Sequence, residues 1–181
     1  MRLRVIAGTL GSRTFDSPDG FTTHPMGERI RGALFNILGD IEGFHVLDAF
    51  SGSGALSFEA VSRGAAKATA VERDRIAQRI IAKNIEQLGV EDRVELIRAN
   101  VSQWSLTSAD KRYDLILCDP PYNNLQLSTV SKLITHLKPN SLMVLSLPGR
   151  ESAPTVNGVV VVDKRLYGDA ALAFYQKVAA E

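Results

Sequence analysis

From Phe44 onward, short apolar runs alternate with longer stretches whose apolar residues recur every three or four positions. The runs Phe44–Phe50, Lys67–Glu72, Arg93–Arg98, Tyr113–Cys118 and Ser141–Leu147 read as strands. Ala66–Val71 has weak strand propensity and is assigned by its place in the alternation. Between the strands, Gly54–Arg63, Arg73–Leu88 and Leu125–Leu137 read as helices. In the second, Ile76, Ile80, Ile81, Ile85 and Leu88 form one stripe at helical spacing, and Gly89 stands just past its end. This alternation predicts an α/β fold, a mostly parallel sheet covered by helices on both faces. Near the C-terminus, Gly158–Leu166 and Leu172–Val178 flank Tyr167-Gly-Asp-Ala, which predicts an antiparallel hairpin closing the sheet. At the other end, Leu3–Ala7 and Thr14–Phe15 bracket a glycine-rich turn and predict a small hairpin. Gly27–Leu38 follows as an amphipathic helix with Ile30, Ala33, Leu34, Ile37 and Leu38 on its apolar side. Residues 1–43 are too short to bury a core alone and read as an appendage on a main domain, 44–181.

A chain of 181 residues, 45% of them hydrophobic, suits one core of ordinary size. The net charge of +1 neither requires nor excludes nucleic acid, because a local basic face can bind phosphate without a basic average. The lone cysteine, Cys118, cannot form an internal disulfide and sits in an apolar strand, where it reads as core. No apolar run approaches the roughly 18 residues of a membrane span, and the first residues do not read as a signal peptide. The expected setting is the cytoplasm, with no membrane partner. His24, His45 and His136 are scattered and, with Cys118, match no metal-ligand spacing, so no metal is expected. There is no P-loop signature.

Chemistry concentrates at three strand ends. After the first strand of the main domain comes Asp48-Ala-Phe-Ser-Gly-Ser-Gly54, where Gly52 and Gly54 let a ligand approach the backbone before the helix starts. Position 57 is Ser, so the dinucleotide pattern of three glycines is not met; the order strand, Asp, Gly-x-Gly, helix suits S-adenosylmethionine instead. Glu72 ends the next strand, about 20 residues on, at the place where an acidic side chain grips a ribose diol. Asn100, after the third strand, is a candidate for the adenine amine. Asp119-Pro-Pro-Tyr122 follows the fourth strand and is the most specific feature. An exocyclic amine bears two hydrogens; the Asp119 carboxylate and the Pro120 carbonyl can accept them, Pro121 stiffens the turn, and the Tyr122 ring can stack on a base. Held in this way, the amine lone pair can be aligned with a methyl donor. An ordinary carboxylate pKa does not suit Asp119 to strong base work.

Asp48-Ala-Phe-Ser-Gly-Ser-Gly, Glu72 and Asp119-Pro-Pro-Tyr together resemble the Rossmann-like class I methyltransferases that modify exocyclic amines. Arg4-Val-Ile-Ala-Gly, Arg29-Ile-Arg-Gly-Ala-Leu-Phe-Asn-Ile-Leu, Ser62-Arg-Gly-Ala and Tyr167-Gly-Asp extend the resemblance over almost the whole chain, to the RsmD family of bacterial 16S ribosomal RNA guanine-N2 methyltransferases. The resemblance implies a seven-stranded sheet and S-adenosylmethionine as donor. It implies 16S rRNA or the small ribosomal subunit as partner, with a guanine N2 as target. It assigns Asp119, Pro120, Pro121 and Tyr122 to the amine site. It assigns Asp48, Phe50, Ser51, Gly52, Gly54, Glu72, Arg73, Asn100, Val101 and Asp119 to the cofactor. The chain departs from the family in carrying His24-Pro-Met26 where Arg-Pro-Thr is usual, and an acidic residue at Glu28 after Gly27, which bears on contacts made by that loop.

Arg2, Arg4, Arg13, Arg29 and Arg31 concentrate in the appendage and are the candidate phosphate contacts; Lys164 and Arg165 lie near the late hairpin. Phe21 and Met26 read equally as a cover for the site or as core. An RNA guanine has to be unstacked to reach such a crevice. Two other readings share these residues. One is an adenine-N6 or protein-glutamine methyltransferase, classes that usually carry larger target-recognition regions. The other is a non-catalytic RNA-binding assembly factor, which need not keep the cofactor motifs. A monomer is expected.

Overall fold

The computed structural model describes residues 1–19 and 26–178. The chain opens with a hairpin of β1 (Arg2–Arg4) and β2 (Thr14–Asp16), followed by α1 (Glu28–Leu38). The main unit then runs β3 (His45–Asp48), α2 (Ala55–Ser62), β4 (Lys67–Glu72), α3 (Arg75–Leu88), β5 (Val94–Arg98), α4 (Val101–Thr107), β6 (Tyr113–Cys118) and α5 (Leu127–Leu133). It ends with β7 (Leu137–Pro148), β8 (Val159–Tyr167) and β9 (Ala170–Lys177). Seven strands form one sheet in the order β5-β4-β3-β6-β7-β9-β8. Strands β3 to β7 are parallel, and β9 lies antiparallel between β7 and β8. The late hairpin is therefore antiparallel as its turn residues predict, with its second strand on the inside.

The period of two along each strand divides the core. Val46, Leu115 and Leu117 face the layer built by α1, α2 and α3, while Leu47, Ile116 and Cys118 face the layer with α4 and α5. Val5, Phe15, Leu34 and Phe35 of the N-terminal segment are buried in the first layer together with Phe58 and Ile81. Glu59 of α2 reinforces that packing: its two oxygens accept from the Ile6 and Ala7 amides at 2.9 and 3.1 Å.

Several boundaries depart from the sequence reading. Asp74 accepts a 2.8 Å hydrogen bond from the Ala77 amide, so α3 starts at Arg75 and not at Arg73. The segment 99–112, to which the sequence pattern assigns no element, contains α4. The Leu125–Leu137 helix is shorter, because Gln126 is left-handed (φ 51°) and a 3₁₀ turn, Ile134–His136, ends it. Leu137 already pairs with Tyr113, so β7 begins four residues before Ser141, across a register irregularity.

The strand order fixes where a ligand can sit. From β3 the chain moves outward through β4 to β5, then returns to place β6 on the other side of β3. The crevice between the carboxyl ends of β3 and β6 is the topological switch point of the sheet. The glycine loop leaves β3 there, and Asp119 leaves β6.

Candidate active site

A cleft of about 910 Å³ opens at that switch point. One wall is the glycine loop. Gly52 and Gly54 have φ of 58° and 84°, and a Cβ on Gly54 would come within 2.7 Å of the Phe58 ring. Glycine is therefore required for the turn into α2. Phe50, Ser51 and Gly52 line the cleft, while Gly54 sits behind them as the N-cap of α2.

Asp48 lies beneath this loop, 1% exposed and outside the cleft wall. Its Oδ2 accepts from the Ser51 and Ser57 hydroxyls at 3.0 and 2.7 Å, and its Oδ1 is buried without a hydrogen-bond partner among the described residues. Burial pushes its pKa up to about 6, against the pull of the two serines. The resemblance assigns Asp48 to the cofactor; in the structure it underpins the loop that lines the cleft.

Glu72 closes the wall from β4. Its Oε1 accepts from the Gly52 amide at 2.9 Å and its Oε2 from the Asp74 amide at 2.8 Å. Arg73 lines the cleft with an exposed side chain. Asn100 and Val101 line it at the start of α4. The Asn100 side-chain oxygen caps that helix by accepting from the Ser102 amide at 2.9 Å. That oxygen accepts one backbone amide and keeps its second lone pair for the adenine amine expected there.

The opposite wall holds Asp119, Pro120, Pro121 and Tyr122. Pro120 is buried, whereas Pro121 and the Tyr122 ring (41% exposed) stand toward solvent. Burial, reinforced by repulsion from Asp48, pushes the Asp119 pKa up to about 7, against the pull of Ser146. That is well above the ordinary range from which the sequence reading judged it. The Cys118 thiol next to it is buried and pushed up, which keeps it a neutral core group.

Sequence reasoning missed Ser146. Its hydroxyl lies 2.7 Å from the Tyr122 hydroxyl and it lines the cleft at 2% exposure. A lone serine in an apolar strand gives no signal; it reaches the site because β6 and β7 pair in register, Cys118 opposite Leu145. Gly27, Ile30, Asn123, Asn124 and Gln126 also line the cleft unforeseen. Met26, for which cover and core were equally weighed, lines it too, half-buried; Phe21, His24 and Pro25 lie outside the described residues.

The five candidate arginines divide. Arg31 is a correction: it is 0% exposed and cannot meet a phosphate. It pairs with the buried Glu59 (3.5 Å) and donates to the Arg4 carbonyl. Arg13 spends its guanidinium on the Leu88 and Gln87 carbonyls at the end of α3, a favourable place for a cation. Arg4 is exposed but paired with Glu28 at 2.8 Å, and Arg2 donates to Thr14. Arg29 is exposed in the first turn of α1, beside the cleft-lining Gly27 and Ile30.

No helix among the described residues is long and apolar enough to cross a membrane. The family model described as conserved hypothetical protein 95 matches residues 3–176. The chain is 32% identical over 155 residues to ribosomal RNA small subunit methyltransferase D of Buchnera aphidicola, covering 83% of this chain and 81% of that protein. Its fold matches the Escherichia coli protein yhhF with a TM-score of 0.88 at 29% identity, over 99% of this chain and 100% of that one. It also matches, in fold alone, an RNA methyltransferase of Salinibacter ruber solved with S-adenosyl-L-homocysteine (TM-score 0.68, 15% identity, 87% and 96% coverage). With its motifs placed around one cleft and nearly its whole length matched, the chain belongs to the conserved hypothetical protein 95 family, the RsmD family of ribosomal RNA methyltransferases.

Proposed function

We propose that this protein transfers a methyl group from S-adenosylmethionine to the exocyclic N2 of a guanine in 16S ribosomal RNA. The observation that carries the reading is the meeting of the Gly52–Glu72 wall and Asp119-Pro-Pro-Tyr122 in one cleft. Each Glu72 oxygen accepts one backbone amide and keeps a lone pair for a ribose hydroxyl. Phe50 and Val101 offer apolar surface for the adenine, and the Asn100 amide a polar contact. The residues fit a cationic cofactor, because Glu72 puts a carboxylate on the cleft wall and Asp48 a second acidic group beneath the glycine loop. Bound S-adenosylmethionine supplies an electrophilic methyl group.

Asp119, ionised, and the Pro120 carbonyl accept the two amine hydrogens and hold the nitrogen lone pair toward the donor. A pKa of about 7 also lets Asp119 take up the proton released by the amine near neutral pH. Tyr122 presents its ring to the unstacked base. In this reading residues 1–43 form an RNA-contacting appendage on a methyltransferase domain, 44–181, with Arg2, Arg4 and Arg29 at the phosphates. The enzyme acts as a monomer in the cytoplasm, where the ribosomal subunit is found.

The test is transfer of labelled methyl from S-adenosylmethionine to small-subunit particles lacking the modification, followed by nucleoside analysis. N2-methylguanine at one site, lost in Asp119→Ala at unchanged cofactor affinity, is the expected result. N6-methyladenine would move the activity to a different amine. Cofactor binding with no methylated nucleoside would sink the RNA substrate.

A further inference from the structure

We infer that Ser146 is a positioning residue for methyl transfer, its buried hydroxyl linking Asp119 to Tyr122 so that the amine acceptor and the stacking ring hold one geometry. The inference rests on the reading of those two residues as the amine site.

Three observations support it. Ser146 sits on β7 at 2% exposure, so its hydroxyl must be satisfied within the protein. It lies 2.7 Å from the Tyr122 hydroxyl. Asp119 and Ser146 line the same cleft, each one residue past the paired Cys118 and Leu145, and the hydroxyl pulls the Asp119 pKa down. A serine hydroxyl has one proton and two lone pairs. Given to the Asp119 carboxylate, that proton leaves a lone pair to accept from the Tyr122 O–H. The chain Tyr122 to Ser146 to Asp119 then has one direction and uses every donor. Without it, Tyr122 is anchored only by a solvent-facing loop, because its ring is 41% exposed.

The other groups around Asp119 act in the opposite sense. Asp48, from β3, raises its pKa, and Glu72 stands behind Asp48 with the same sign of charge. Cys118 and Tyr122 are pushed up chiefly by burial and then by Asp119, and stay neutral beside it. Ser146 is the one named group that favours the ionised carboxylate.

Two measurements on Ser146→Ala and Ser146→Thr decide the matter. In cofactor-free protein, the ¹³C carboxyl resonance of Asp119 is titrated by NMR. The midpoint should rise in Ser146→Ala and return toward wild type in Ser146→Thr. An unchanged midpoint in Ser146→Ala overturns the link to Asp119. In methyl transfer to subunit particles, Ser146→Ala should lower kcat roughly tenfold, the scale of one lost hydrogen bond, at unchanged cofactor affinity. In a Tyr122→Phe background the same substitution should lower kcat much less; an equal, additive loss overturns the link to Tyr122. If the wild-type protein methylates no guanine, the functional reading fails, while the titration still decides what Ser146 does to Asp119.

Discussion

Glu72 Oε1 accepts a 2.9 Å hydrogen bond from the Gly52 amide, so a carboxylate at the end of β4 holds the glycine loop that leaves β3. The two cofactor motifs are therefore one structure before any ligand arrives. Glu72→Gln should weaken S-adenosylmethionine binding by about 10- to 100-fold, the scale of hydrogen bonds to a charged group. Glutamine has a single acceptor oxygen, so it cannot serve the Gly52 amide, the Asp74 amide and a ribose diol together. Calorimetric titration checks this, and an unchanged Kd removes Glu72 from the cofactor site.

The contiguous motifs were legible because local chain geometry fixes them. Asp48–Gly54 and Asp119–Tyr122 each follow a strand, and any α/β sheet presents such turns at its carboxyl edge. Ser146 and Arg31 were not legible in the same way. Ser146 joins the site only through the β6–β7 register, and Arg31 of α1 is buried against Glu59 of α2, a contact that sequence spacing does not show. Helix α4 stayed hidden because Val101-Ser-Gln-Trp-Ser-Leu-Thr is short and rich in weak helix formers. Its signal was present in Asn100 as N-cap, with Val101, Trp104 and Ser105 buried at helical spacing.

Arg31 should behave as a core residue. It shares Glu59 with Arg63, whose Nε lies 2.9 Å from that carboxylate, and its own Nε and Nη1 lack hydrogen bonds among the described residues. Arg31→Met should lower stability by about 3 kcal/mol in urea unfolding, because Glu59 stays buried with only part of its compensation. It should leave the salt dependence of RNA binding by the folded protein unchanged. A reduced salt slope would return Arg31 to the phosphate contacts.

Arg29 and Arg13 separate the two uses of a basic side chain. Arg29→Ala should weaken RNA binding and lower the slope of log K against log salt by about one. Arg13→Ala should change that slope less, and lower stability by about 1 kcal/mol, because its guanidinium satisfies carbonyls at the end of α3. RNA binding over a salt series, paired with thermal melts, checks both. Equal slopes in Arg29→Ala and wild type would remove Arg29 from the RNA face.

Asp119 ties function to a stability that depends on pH. Burial and Asp48 lift its pKa from an ordinary 3.8 to about 7 in the folded protein. Between those values the folded state binds more protons than the unfolded state, so stability falls as pH rises through the window from about 4 to about 7. Above it the unfavourable charge is fully present. Asp119→Asn removes the charge, so it should melt higher than wild type at pH 8, by about 2–4 °C for each kcal/mol relieved, and at the same temperature near pH 4. Asp48, lifted to about 6, adds a dependence of the same sign over a narrower window in both proteins. Methyl transfer needs the ionised form that folding disfavours, so kcat/KM should rise with pH as Asp119 loses its proton. A bound sulfonium favours the carboxylate and should bring that rise below pH 7 at saturating cofactor. The two carboxylates interact, so the rise reports the pair and not Asp119 alone. Melts at pH 4 and pH 8 beside a pH–rate profile check the account. If Asp119→Asn melts no higher than wild type at pH 8, Asp119 is not the strained charge that this site chemistry requires.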